Sequence, residues 1–355
     1  MTVKRDNQLI GFMFVISMFS VGIYYLLPMI YVNPYEYFYG GELKSYQLYH
    51  LFFSGVMIPV TSLITGFIIT RSDYDKLDVL KKLLMIFIVL FIISLLFNGF
   101  IGLFIVPISG IVVLFFRDKP VIISVITSFI LLGLYFIVWT ILPALVAANS
   151  NNIIYSSIQQ LNNYLGVYRE SDIISMIELN VQSIFTINFF DKFLFLSLPL
   201  TFIGSMFNRL NIEDYFKQKG TILMIVTIIS GLIIKMMEIL SLGSKSGRLI
   251  GDNIGGVIMS LGLFLLLILL IQRLPKVSEF LFENIGVFSL TMFTIFNLIM
   301  ATIFYGFGLN YYGEVKVGYL MIIILIIILV IFGLSMLLKK TKFRPLIIIS
   351  NENHY

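Results

Sequence analysis

Long apolar runs separated by short polar breaks dominate this chain. A membrane-spanning helix needs about 20 apolar residues, and such runs recur roughly at 9–32, 49–70, 83–100, 101–116, 120–147, 193–208, 221–240, 254–271, 285–306 and 317–338. The pattern predicts an all-α polytopic membrane bundle of about ten spans. Residues 83–100 and 101–116 read as a hairpin turning through Asn98, Gly99 and Gly102. Pro107 and Gly110 leave the second arm short, so it is expected to be tilted or re-entrant.

One polar segment, 149–192, interrupts the series and separates the bundle halves 1–148 and 193–355. Its apolar positions Ile154, Ile158, Leu161, Leu165 and Tyr168, and then Ile174, Ile177, Val181 and Ile184, repeat with helical spacing. Two amphipathic helices are therefore predicted on a membrane surface. Gly166 to Asp172 reads as the joint between them, with Ser171 or Asp172 capping the second.

Composition sharpens the class. The chain has 355 residues, 59% hydrophobic and 12% charged, with a mean hydropathy of +1.00, outside the range of soluble domains. It contains no cysteine, which excludes disulfides, thiol catalysis and thiolate metal sites. Its only histidines, His50 and His354, exclude clustered-histidine metal sites and leave few general bases. Of 24 lysines and arginines, Lys44, Arg169, Lys192, Lys245, Arg248 and Lys316 fall on one predicted face and Lys235 within a span; the rest fall on the other face. The positive-inside rule then places both termini in the cytoplasm and 149–192 outside a bacterial cell membrane. The basic residues read as topology anchors on anionic lipid, not as a nucleic-acid surface.

Candidate chemistry is sparse. The loop 31–50 carries Tyr31, Tyr35, Tyr37, Tyr39, Tyr46, Tyr49 and Phe38, either an aromatic belt at headgroup depth or a stacking surface for a ligand. His50, at the outer end of the second span, reads as a surface or capping residue. Lys235 and Glu238 share a helix face within a span and are expected to neutralise each other. Arg248 and Asp252 lie one helical turn apart in a glycine-rich stretch, which reads in two ways: these four side chains line one external pocket, or the glycines only make a tight turn and a close helix crossing. Ser289, Thr291, Thr294 and Asn297 form a polar stripe on the ninth span, with Asn297 the candidate ligand contact. Glu170, Asp172 and Glu178 give the external segment acidic charge that would attract a cationic partner. No phosphate loop, paired-carboxylate site or Ser-His-Asp set is read from the sequence.

The late region resembles the bacterial YeiB family of multi-pass membrane proteins, grouped with transmembrane acyltransferases. Ser289-Leu290-Thr291, Phe304-Tyr305-Gly306, Gly308-Leu309, Gly313 and Phe343-Arg344-Pro345-Leu346 carry the likeness, with Tyr164–Asp172 and Leu51–Met57 resembling family elements more weakly. Departures fall on polar positions. Phe97 or Asn98 stands where the family has histidine, Gly102 or Leu103 where it has aspartate, and Ile347 where it has glutamate. The chain is also similar to accessory membrane proteins of lantibiotic clusters of the gallidermin and epidermin type.

Together these resemblances imply a non-catalytic protein, without cofactor or metal, recognising an amphipathic cationic peptide or a lipid at the external face, in lantibiotic immunity or in export beside an ABC transporter. The alternative they imply is a membrane acyltransferase acting on a cell-envelope carbohydrate or lipid, with acyl-coenzyme A as donor and His50 or Glu238 as base.

Overall fold

The computed structural model describes residues 2–22, 25, 35, 38–71, 74–97, 102–149, 165–170, 172–186, 189–241 and 244–340. Most of the first predicted surface helix and the tail motif Phe343–Leu346 lie outside these residues. The described chain is helical throughout: α1 (Thr2–Gly22), α2 (Gly40–Phe53), α3 (Met57–Ile69), α4 (Lys76–Leu96), α5 (Ile105–Phe115), α6 (Val121–Leu134), α7 (Leu142–Asn149), α8 (Ile173–Thr186), α9 (Leu198–Arg209), α10 (Ile212–Leu240), α11 (Lys245–Ile250), α12 (Gly256–Arg273), α13 (Pro275–Val287), α14 (Ser289–Phe304) and α15 (Val317–Lys339). Among the described residues, six helical stretches are long and apolar enough to cross a membrane, or seven if the bent α13–α14 pair is one span. The expected count of ten is not established by this measure. The α5 helix has 11 residues, about 16 Å at 1.5 Å per residue, which is well short of a bilayer core.

Burial separates centre from periphery. The α2–α3 and α11–α12 stretches are 67% and 61% buried, against 17% for both α6–α7 and the apolar part of α10, so the former form the middle of the bundle and the latter present isoleucine, leucine and phenylalanine outward. Bilayer hydrocarbon is the solvent that suits such faces. Small residues let the central helices touch. A Cβ built on Gly66 would stand 1.9 Å from the Thr201 carbonyl oxygen, and one on Gly204 2.0 Å from that of Leu63, so α3 and α9 meet backbone to backbone. Ser62, Ser197 and Ser109 link three elements there through hydroxyl contacts of 2.8 Å. The main core runs from Leu9 on α1 to Ile331 on α15, shared by the two halves of the chain, with a small second cluster of Val56, Val60 and Met259.

At the end of the bundle where α1 begins, Asp6 is fully buried and meets Arg71 Nη1 at 2.5 Å, while the Tyr74 hydroxyl donates to its other oxygen at 2.5 Å. Arg71 also lies over the Phe67 ring at 5.2 Å. The start of α4 follows from Asp75, whose carboxylate accepts from the Leu77 and Asp78 amides.

The second predicted amphipathic helix is present as α8, and Asp172 caps it by accepting from the Ile174 amide at 3.0 Å and the Ser175 hydroxyl at 2.6 Å. Its packed stripe differs from the expected one. Met176, Asn180 and Ile184 are buried, while Ile174 is 70% exposed. The reason is polar: Asn180 donates to the Leu95 carbonyl at the end of α4 and accepts from the Tyr168 hydroxyl, and that anchor fixes which face turns inward. The aromatic loop is corrected similarly. Among its described rings, Phe38, Tyr46 and Tyr49 are bundle core and only Tyr39 is strongly exposed, because α2 begins at Gly40 and carries the later rings inside.

Candidate functional site

A central element is broken where the sequence allows it. Between α2 and α3 the helix opens at Ser54 and Gly55, the latter at φ +67°, a left-handed conformation that glycine adopts without strain. Gly55 is also where the Asp252 backbone comes close: a Cβ there would lie 2.4 Å from the Asp252 carbonyl oxygen. The opening frees the Ser54 carbonyl, which accepts from Lys235 Nζ on α10. Irregular backbone inside a membrane bundle persists where it is buried in protein or lines a cavity.

Such a cavity, of about 250 Å³, lies beside this break. Its wall is built from Tyr46, Tyr49, His50 and Ser54 of the α2–α3 stretch, and from Tyr135, Lys192, Arg248, Asp252 and Asn253. Four of those side chains, Tyr135, Lys192, Asp252 and Asn253, sit on three π-helical turns, at Tyr135–Ile141, Lys192–Ser197 and Gly251–Gly255. One π turn inside a helix is frequently found at a functional site; here three converge with a helix break on one cavity.

The buried polar centre joins α2 to α10 and α11–α12. His50 Nε2 stands 2.7 Å from Glu238 Oε2, and both side chains are inaccessible to solvent at 1% and 0%. The contact is short but off-axis for an N–H···O hydrogen bond. The Tyr46 hydroxyl donates to Glu238 Oε1 at 2.9 Å, and the Tyr46 and His50 rings stack at 6.0 Å. On the cavity side, His50 Nδ1 lies 3.7 Å from Asp252 Oδ1, and Arg248 Nε lies 3.9 Å from Asp252 Oδ2.

This arrangement gathers Lys235, Glu238, Arg248 and Asp252 around one place, without the expected Lys235–Glu238 pairing. Among the described residues Lys235 and Glu238 make no direct ion pair: Lys235 turns to the Ser54 carbonyl and Glu238 to His50 and Tyr46. Arg248 and Asp252 line the cavity, while Lys235 and Glu238 stand behind its wall. His50, expected at a surface or a cap, is at the centre. The absence of paired carboxylates is also corrected, because folding brings Glu238 and Asp252 to the two sides of one imidazole.

Other candidates lie elsewhere. Asn297 is fully buried but internally satisfied, accepting from the Tyr25 hydroxyl at 3.1 Å and donating to the Phe293 carbonyl at 2.8 Å, and it does not line the cavity. Glu170 and Glu178 are exposed and Asp172 serves α8 as its cap. Tyr46 is one of the rings of the aromatic loop; Tyr135 and Lys192 were missed as site residues, although the position of Lys192 at the mouth of an apolar run was a signal available in the sequence.

One donor atom each from His50, Glu238 and Asp252 fall within 4.8 Å of one another, a spacing that a divalent cation could bridge. The surrounding charge disfavours it, because Lys235, Arg248 and Lys192 already place positive charge beside the two carboxylates, and a cation would meet that repulsion in a medium of low dielectric.

Residues 207–346 match a protein family described as "Protein of unknown function (DUF418)". The match includes Lys235, Glu238, Arg248 and Asp252, together with the late Ser289-Leu290-Thr291 and Phe304-Tyr305-Gly306 patterns of the YeiB-like resemblance. Fold and family match together define the class, a helical multi-pass membrane protein with a DUF418-like region. No curated protein and no solved structure matches the chain.

Proposed function

We propose that the cavity is a catalytic site for acyl transfer from a thioester donor to a hydroxyl-bearing acceptor at the bundle end formed by α2, α10 and α11. The observation that carries this reading is the buried His50–Glu238 contact at 2.7 Å on the wall of a cavity of about 250 Å³. A carboxylate has no proton to give, and Nε2 stands 2.7 Å from Glu238 while Nδ1 stands 3.7 Å from Asp252, so the proton is assigned to Nε2 and Nδ1, toward the cavity, is left as the base. Glu238 holds the ring tautomer and stabilises the imidazolium that forms, and Tyr46 orients Glu238 in turn. In the reaction Nδ1 takes the acceptor O–H proton while the oxygen bonds to the acyl carbonyl carbon. The carbon–sulfur bond then breaks and the proton passes to the departing sulfur, giving an ester and a thiol.

The cavity is smaller than the usual 300–1,000 Å³ of sites for drug-sized ligands. That size suits a small acceptor group and the reacting end of the donor, acyl-coenzyme A being the donor the resemblance suggests. Purified protein in lipid nanodiscs, supplied with acyl-coenzyme A and cell-envelope lipid or carbohydrate acceptors, is expected to release thiol only with an acceptor present and to lose this on His50→Gln. No acceptor-dependent thiol release with any donor would sink the reading.

A second reading, recognition of an amphipathic cationic peptide in lantibiotic immunity or export, draws support from α8. There Ile173, Ile174 and Phe185 are 51%, 70% and 79% exposed, and Glu178 is exposed on the same helix. Neutralising Glu170, Asp172 and Glu178 together would lower peptide protection of cells in a salt-dependent way, and unchanged protection would remove this reading.

A further inference from the structure

We infer that the cavity binds an anionic group, a phosphate or carboxylate, held by Lys192 and the Tyr135 hydroxyl with Arg248 beside them. The inference rests on the reading of the cavity as an acceptor site, and it names the class of acceptor: a hydroxyl compound that also carries an anion.

The charge of the wall leads to it. Lys192 and Arg248 line the cavity against a single carboxylate, Asp252. Behind the wall Lys235 and Glu238 offset one another, so the described lining keeps a positive excess. Arg248 is directed toward Asp252 at 3.9 Å. Lys192 makes no ion pair or hydrogen bond with any described residue. Its neighbour Asp191 is turned to Trp139, whose indole N–H donates to it at 3.0 Å, and so does not neutralise it. The carboxylate that attracts it across the cavity, Asp252, is shared with His50, Lys235 and Arg248, and a lysine so incompletely compensated in a membrane protein ordinarily marks a substrate or ion site.

A second donor points the same way. Tyr135 is 4% exposed and lines the cavity, and its hydroxyl makes no hydrogen bond with a described residue. The other polar groups of the wall are occupied: Tyr49 donates to the Ser20 carbonyl, Tyr46 to Glu238, and Asn253 to Thr140. The groups left over are thus a cation and a hydroxyl donor, each the first residue of a π-helical turn. Ammonium and hydroxyl donors are what phosphate and carboxylate oxygens require. Neutral sugars would leave the positive excess of the lining in place, and a metal ion would add to it.

Glycerol 3-phosphate is a suitable soluble probe, because it carries both an anion and hydroxyls, with glycerol as the neutral control. The full chain in phosphatidylcholine nanodiscs is titrated with each by calorimetry, and its thermal transition is compared with that in nanodiscs containing phosphatidylglycerol. Saturable binding of glycerol 3-phosphate but not glycerol, weakened at least tenfold by Lys192→Met and by Tyr135→Phe and retained by Lys192→Arg, is expected for a soluble anion. Stabilisation by phosphatidylglycerol alone, lost in Lys192→Met and kept in Lys192→Arg, assigns the same site to a lipid headgroup. Absence of both effects, or equal effects in wild type and Lys192→Met, overturns the inference. Anion binding that depends on Lys192 without acyl transfer would leave the inference standing and remove the catalytic reading. Transfer confined to uncharged acceptors would do the reverse.

Discussion

His50 on α2 and Glu238 on α10 meet at 2.7 Å with both side chains sealed from solvent, and no local feature of either segment announces the other. Their contact ties a helix from the first half of the chain to one from the second. A buried acid beside a buried imidazole costs desolvation, and removing one partner leaves the other uncompensated.

Glu238→Ala is therefore expected to destabilise the protein by about 3–5 kcal/mol, read as a lower midpoint of thermal unfolding in detergent. Glu238→Gln keeps an acceptor for the Tyr46 hydroxyl, so it should cost less in stability. If Glu238 positions the base, Glu238→Gln should still lower acceptor-dependent turnover by roughly 10²–10⁴-fold, the usual contribution of acid–base catalysis.

The opposite end of the bundle has its own buried ion pair. Asp6→Ala removes the partner of Arg71 and of the Tyr74 hydroxyl, with a predicted loss of about 3–5 kcal/mol. Tyr74→Phe deletes one hydrogen bond to a charged group and should cost roughly 1.5–3 kcal/mol. Equal midpoints for wild type and Asp6→Ala would show that this cluster carries no stability.

The crossing of α3 and α9 admits no side chain at Gly66 or Gly204. Either glycine changed to alanine forces two backbones apart, with an overpacking cost of about 1–3 kcal/mol or more. The part of the cavity wall on α3, at Met57, Ile58 and Pro59, would shift as well, so ligand affinity should fall together with the unfolding midpoint. A pair of alanine variants with wild-type midpoints would argue against backbone contact here.

Acid should affect α8 only late. The Ser175 hydroxyl, and then the Ile174 amide, hold the Asp172 carboxyl below its ordinary value. A lowered pKa in the folded state means that the cap contributes fully above the ordinary aspartate value of about 3.9 and is lost as pH falls through the folded value. Hydrogen exchange in the first turn of α8 is expected to stay constant from neutral pH to about pH 5, after correction for intrinsic rates, and to quicken only below the ordinary aspartate value. Asp172→Ala should show the fast exchange at every pH.

Much of this protein was legible in its sequence. Apolar runs of membrane length and the helical spacing after Asp172 determined an all-α membrane bundle with a capped helix at 173, while the turn expected at Asn98 and Gly99 lies outside the described residues. All of them depend on interactions within one stretch of chain. The clustering of Arg248 with Asp252 was equally local, one turn apart on a helix.

What only the tertiary structure decided is which distant groups share a buried volume. Asn180, not an apolar residue, fixed the inward face of α8, because its amide found the Leu95 carbonyl. Lys235 left its helical neighbour Glu238 for a carbonyl freed by the break at Gly55, and Glu238 turned to His50. The physical reason is that a polar group removed from water takes whichever partner the packing brings within reach. Sequence spacing specifies partners along a helix, but partners across a bundle are set only when the small residues at its crossings let the helices close.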